Sequence, residues 1–349
     1  MRRRGLHLLL VPLLSLALAL GLTHVLATPV LAYTAPDKAT TPIILVHGYN
    51  DGTGCPSTDL TMWNPLISDL VEDGWTGPKR AVGFYSCDKN VSTNPNNWID
   101  GYGSHNTYYS TSPCSPLCST HENGTSGHLS HNRNTDIRHL AYHLAWFIYS
   151  NYSRNGQTVE IVAHSMGGLI VRWMLYAEAN NSTVGQGVFP PALYVNDVYT
   201  VSTPHNGTSY AFLGVTYQAE EMQTGSTFMN AINGTASGRN PQGTNGTDWT
   251  TMGNYPSDSD LVVSDTSAMH MDSAHKLLYV TPRYSHGGSL NDTNETWDAT
   301  TYRCDACGAT TAISSYRTIT GMPHNDGYVD QAFYHGCLNY CWPSAPVLK

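Results

Sequence analysis

Val159-Glu160-Ile161-Val162-Ala163-His164-Ser165-Met166-Gly167-Gly168 is the stretch whose reading decides the fold. An apolar, β-branched run reads as a buried strand. It ends in a serine with a small residue two positions before it, Ala163, and another two positions after it, Gly167. Leu169-Ile170-Val171-Arg172-Trp173-Met174-Leu175 follows with an apolar helical pattern. Strand, sharp turn and helix together form a nucleophile elbow, which holds a serine exposed at the top of a sheet. A serine hydroxyl is a weak nucleophile and must be presented to a base. The turn does that, and it admits only small side chains at positions 163 and 167. The common form of the pattern begins with glycine; here Ala163 takes that place.

Working outward, Pro42-Ile43-Ile44-Leu45-Val46 is a buried strand running into His47-Gly48-Tyr49-Asn50. Val198-Tyr199-Thr200-Val201 is another, ending in Thr203-Pro204-His205-Asn206-Gly207. Thr58 to Asp73 and Asn134 to Ser150 carry apolar residues at helical spacing, and Ala81–Tyr85, Trp249–Met252 and Leu277–Val280 read as further strands. Alternating strands and helices imply a mostly parallel sheet with helices on both faces. Residues 33–349 are expected to form one domain. Within it, 88–131 is a long insertion rich in Asn, Ser, Thr and Gly, and 206–246 is either a cap or lid or an ordinary packed insertion. Residues 295–349 are a Cys-bearing tail without periodicity. There are no internal repeats.

With the elbow, the His47-Gly48-Tyr49 loop and the Thr203-Pro204-His205-x-Gly207 turn in this order, residues 42–290 resemble the secreted α/β-hydrolase lipases and esterases. The likeness is nearest to bacterial lipases with an A-H-S-M-G elbow and an H-G-Y or H-G-I oxyanion loop. The resemblance implies an α/β-hydrolase fold and a triad in the chain order serine, acid, histidine. Ser165 is then the nucleophile. Similar lipases carry the acid in an Asp-x-Val-Val type of turn, and Asp260 in Asp258-Ser259-Asp260-Leu261-Val262-Val263 fits, with Asp258 and Asp265 as neighbouring alternatives. His286, on the loop after Leu277–Val280, is where the base belongs; His324 competes, because it follows the strand-like stretch Ala312 to Ile319. His270 and His275 fit the chain order poorly. The oxyanion donors implied are the main-chain N–H groups of Met166 and Tyr49. His47 is expected to brace its loop, His164 to pack beside its strand, and His205 to shape the floor of the site.

The chain has 349 residues and a formal net charge of −9, so a nucleic-acid partner is not expected, because phosphate binding needs a basic face. Only 12% of its residues are charged, about half the usual share, and the polar but uncharged surface this leaves suits an extracellular protein. Residues 1–32 read as a signal peptide: Arg2, Arg3 and Arg4, then an apolar run from Leu6 to Leu22, then Val30-Leu31-Ala32 as a cleavage site. An uncleaved anchor is the competing reading. Several sequons occur, including those at Asn123, Asn206, Asn233, Asn245 and Asn294. Eight cysteines behind an export signal favour disulfides: Cys55–Cys87, which would tie the loop after the His-Gly strand to the next strand, and the local pairs Cys114–Cys118, Cys304–Cys307 and Cys337–Cys341, chosen by proximity. The rival is a zinc site at Cys304-Asp305-Ala306-Cys307.

The expected protein is a monomeric, secreted serine carboxylester hydrolase of lipase type. It would act on triacylglycerol or another fatty-acyl ester, touch lipid interfaces, and need no cofactor or metal. A short-chain esterase, polyesterase or acyltransferase is the alternative among enzymes. A non-catalytic secreted binding protein on a hydrolase scaffold is the alternative outside them.

Overall fold

The computed structural model describes residues 40–49, 60–72, 76–85, 98–100, 133, 135–182, 188–209, 216–254, 260–273, 275–281, 284–291, 297–304 and 309–319. The expected signal segment, most of the 88–131 insertion, Asp258, His324 and the side chains of all eight cysteines lie outside the described residues.

In chain order the elements are β1 (Ile43–Val46), α1 (Asn64–Glu72, entered through a 3₁₀ turn at Leu60–Trp63), β2 (Lys79–Gly83), β3 (Trp98–Asp100), α2 (Ile137–Asn151), β4 (Val159–His164), α3 (Met166–Ala179), β5 (Val195–Val201), α4 (Tyr217–Glu221), α5 (Thr227–Asn233), α6 (Ala236–Arg239), β6 (Asp248–Asn254), α7 (Asp265–Ala268), β7 (His275–Thr281), β8 (Trp297–Cys304) and β9 (Ala309–Ile319). The strands form one sheet in the order β3-β2-β1-β4-β5-β6-β7-β8-β9. Neighbours from β3 through β7 are parallel, and β7, β8 and β9 are antiparallel.

Strands β1 and β4 are buried along their whole length, which is why β1 reads as a continuous apolar run and β4 as one broken only by Glu160 before it ends in His164. Chain order runs leftward from β1 to β3 and rightward from β4 to β7, so the direction of winding reverses between β1 and β4. Right-handed crossovers then place α1 on one face and α2 with α3 on the other, and α2 packs against α3. Asp136 caps α2 by accepting from the Arg138 N–H at 2.7 Å. Leu140, Leu144, Phe147 and Ile148 of α2 are buried with Leu169, Ile170 and Trp173 of α3. Across the 216–246 segment, Thr216, Ser226 and Thr235 cap three short helices in turn. Phe228 and Ile232 of α5 enter the same core, with Phe228 on Trp173 at 5.5 Å.

Two expectations need correction. β3 lies inside the 88–131 insertion and extends the parallel sheet beside β2, although three residues are too short to give a periodic signal. Part of the tail without periodicity, 295–349, forms β8 and β9, of which only Ala312 to Ile319 reads as strand-like in the sequence. Those strands are built from Thr, Ala, Tyr, Ile and Ser, whose strand preference comes without clean alternation. Among the described residues no helix is long and apolar enough to cross a membrane.

Candidate active site

Open α/β sheets bind ligands at the C-terminal ends of their strands, where the winding reverses. In this protein that place lies between β1 and β4. β1 delivers His47, Gly48 and Tyr49 there, and β4 delivers Ser165.

Ser165 holds φ 55° and ψ −132°, a strained conformation for a residue with a side chain. Its N–H is tied to the Val201 carbonyl of β5 at 2.9 Å, so the turn is pinned to the neighbouring strand. The glycines explain the small-residue pattern. A Cβ on Gly167 would lie 2.4 Å from the Val46 carbonyl oxygen, and one on Gly48 would lie 2.5 Å from the Ser165 Cβ. The β1 loop therefore passes directly over the serine, and only glycine fits at either crossing. Sheet, switch point and elbow together constitute the α/β-hydrolase arrangement.

The structure brings Ser165, His286 and Asp260 together. His286 Nε2 stands 2.8 Å from Ser165 Oγ. Its Nδ1 lies 3.1 and 3.2 Å from the two Asp260 carboxylate oxygens. The carboxylate can only accept, so Nδ1 carries the proton and Nε2 is left to receive the serine hydroxyl proton. Asp260 is buried, and its Oδ1 also accepts the N–H groups of Val262 and Val263 at 3.0 Å each. Burial pushes its pKa up. The hydrogen bond and charge of His286, with those two N–H groups, outweigh burial and hold the carboxyl below its ordinary value. The other acid candidate within the described residues, Asp265, instead opens α7 and accepts from the Thr266 N–H.

The main-chain N–H groups expected to face an oxyanion are those of Met166 and Tyr49. Met166 is the first residue of α3, so its N–H sits at a helix N-terminus, where negative charge is favoured. His47 controls the other. Its Nδ1 donates to the Gly48 carbonyl at 2.8 Å, and its Nε2 accepts from the Phe84 N–H at 3.4 Å. In a trans peptide the carbonyl and the next N–H point to opposite sides. Holding the Gly48 carbonyl against His47 therefore turns the Tyr49 N–H away from that ring.

Two further buried histidines, His205 and His164, differ in partner. His205 is fully buried, with Nε2 on Thr200 Oγ1 at 3.0 Å and Nδ1 facing Arg172 Nη1 at 3.4 Å. His164 reaches the main-chain carbonyl of His286. Sequence reasoning missed Arg172. It is fully buried in α3 and donates to the His205 and Gly238 carbonyls and to Asn233 Oδ1 at 2.7–3.0 Å. Among the described residues no group of three or more His, Cys, Asp or Glu side chains is placed to hold a metal ion.

Comparison with known proteins gives one family match and several similar solved structures. Residues 126–263, less than half of the chain, match a family described as "Putative serine esterase (DUF676)". The matched span contains Ser165 and Asp260 and stops short of His286. No curated protein sequence matches the chain. Similar solved structures include the mature Bacillus licheniformis lipase BlEst2, at 18% identity and TM-score 0.41, covering 74% of this chain and 89% of that one. Aspergillus fumigatus lipase B is 15% identical, with TM-score 0.41, 73% of this chain and 50% of that one covered. Legionella pneumophila phospholipase PlaB is 14% identical, with TM-score 0.37, 66% and 45% covered. The site geometry and the family match support a serine ester hydrolase.

Proposed function

We propose that the protein is a secreted serine carboxylester hydrolase of the lipase type, with Ser165 as nucleophile, His286 as general base and acid, and Asp260 as the group that orients it. The observation that carries this reading is the pair of contacts on one imidazole: serine on Nε2 and carboxylate on Nδ1.

Ser165 Oγ passes its proton to His286 Nε2 and attacks the acyl carbonyl carbon. The tetrahedral oxyanion is stabilised by the N–H groups of Met166 and Tyr49. The C–O bond to the alcohol breaks as His286 returns the proton to the leaving oxygen. Water then gives a proton to His286 and attacks the acyl-enzyme. Collapse releases the carboxylic acid and restores the Ser165 hydroxyl. Throughout, Asp260 holds the ring tautomer and stabilises the imidazolium.

Secretion rests on the leader-like residues 1–32 and the low charge of the chain. Sequencing the N-terminus of protein recovered from culture medium tests it. The paired cysteines proposed with it predict almost no free thiol in denatured, unreduced protein.

Treatment with a fluorophosphonate should add one adduct by intact mass, on Ser165. Ser165→Ala should abolish the adduct and lower kcat by at least ~10³-fold with an unchanged melt. A Ser165→Ala variant that keeps most of its activity sinks the assignment. A panel of esters with lengthening acyl chains separates the lipase from the short-chain esterase: turnover that rises on emulsified long-chain glycerides supports the former.

A further inference from the structure

His164 is the histidine beside Ser165 that the proton path leaves unused. It is the last residue of β4, and its side chain is buried. Its Nε2 lies 2.7 Å from the main-chain carbonyl oxygen of His286, 122 residues further along the chain. A carbonyl oxygen only accepts, so Nε2 carries the proton and the tautomer is fixed. The two imidazole rings stand 4.9 Å apart, tilted by 47°.

We propose that His164 is a positioning residue for the general base: its Nε2–H clamps the His286 carbonyl and so sets where the His286 ring stands relative to Ser165. The inference rests on the serine-hydrolase reading above. The loop carrying His286 has a local Ser285–Gly288 turn and buried residues at Tyr284 and Leu290. Asp260 rides on a separate loop and accepts from its own Val262 and Val263. The clamp is therefore a direct tie from the base to the strand whose end bears the nucleophile. A misplacement of about 1 Å in such a contact can cost about 10²-fold in rate.

His164 is also suited to stand against an imidazolium. The titratable groups acting on it are His286, Asp260 and His47. Burial first, then the charge on His286, lowers its pKa to about 3. It thus keeps its hydrogen-bonding tautomer, without charge, when His286 takes up the serine proton.

The test compares His164→Leu, which has no donor, His164→Asn, whose amide is too short to reach, and His164→Gln, whose amide nitrogen reaches about as far as Nε2. Turnover of a soluble p-nitrophenyl ester and thermal melts are measured for each. The expected result is a kcat about 10²-fold lower for Leu and Asn, with KM changed by less than about twofold, and most of kcat kept by Gln. If the Leu variant does not fold, the Asn and Gln variants carry the comparison alone. The clamp is overturned if Asn and Gln turn over equally, or if folded Leu retains full kcat. If the unsubstituted protein neither hydrolyses esters nor takes a fluorophosphonate adduct, the serine-hydrolase reading falls, and the clamp with it.

Discussion

Two histidines in this protein are wired alike, with a hydroxyl on Nε2 and a charged side chain on Nδ1. For His286 the hydroxyl is Ser165 and the charged partner is Asp260. For His205 they are Thr200 and Arg172. The sign of the charged partner makes the two rings opposite tautomers. Asp260 accepts, so His286 carries its proton on Nδ1 and presents a lone pair to the serine. Arg172 donates, and the Thr200 hydroxyl is turned toward the Thr250 carbonyl at 3.3 Å, so His205 carries its proton on Nε2. A carboxylate favours the imidazolium and a guanidinium opposes it. Burial, then Arg172, Lys276 and His270, hold the His205 pKa well below its ordinary value. One arrangement can cycle a proton; the other can only hold a shape.

The largest effect should come from making the first site resemble the second. Asp260→Asn removes the charge and lets an amide donor face Nδ1, which favours the Nε2–H tautomer and blocks acceptance of the serine proton. We expect kcat to fall by about 10⁴-fold, with KM and the melt little changed. Steady-state kinetics with a soluble ester checks this. A loss of less than tenfold would mean that the carboxylate does not set the tautomer.

The second arrangement should answer in stability instead. Arg172→Met removes the donor to the His205 and Gly238 carbonyls and to Asn233 Oδ1, leaving buried acceptors unsatisfied. The expected cost is about 2–5 kcal/mol in urea unfolding, with kcat per folded molecule within about threefold. Burial lowers the Arg172 pKa to about 9, which still leaves it charged at neutral pH. A variant of unchanged stability would show that this network ties nothing down.

These two arrangements were not equally legible. The elbow could be read because steric limits write themselves into residue types: Gly48 and Gly167 stand where a Cβ would strike Ser165 or the Val46 carbonyl. Asp260 and His286 follow from the chain order that the resemblance implies, and the 26 residues between them run through α7 and β7 and through loops whose path no pattern reveals. The Arg172 network left almost no trace. Its acceptors include main-chain carbonyls at 205 and 238, and a carbonyl has no side-chain identity to read. In sequence, Arg172 is one charge inside an apolar helix. The His164 contact is hidden for the same reason, since its acceptor is the backbone of His286. Strand β8 gives no periodic signal because its residues do not alternate cleanly, whereas most of β9 shows in the strand-like stretch Ala312 to Ile319.

The smallest expected effect separates the two histidines by pH. The folded-state pKa of His205 lies below the unfolded value of about 6.5, so between the two the unfolded chain binds a proton that the folded protein refuses. Its contribution is therefore present above pH ~6.5 and is lost as the pH falls toward the folded value. His164, lowered to about 3, contributes with the same sign. Glu221 contributes with the opposite sign, because burial first and then Asp136 raise its pKa well above the ordinary value. Both remain in a His205→Gln variant, whose amide can still donate to Thr200, so the difference between variant and parent isolates His205. Between about pH 5 and 6, the slope of unfolding free energy against pH should be smaller in the variant by about 1 kcal/mol per pH unit. Urea unfolding at several pH values reads this directly. Parallel lines would mean that His205 already titrates as it does in the unfolded chain, and that the guanidinium beside it does not oppose its charge.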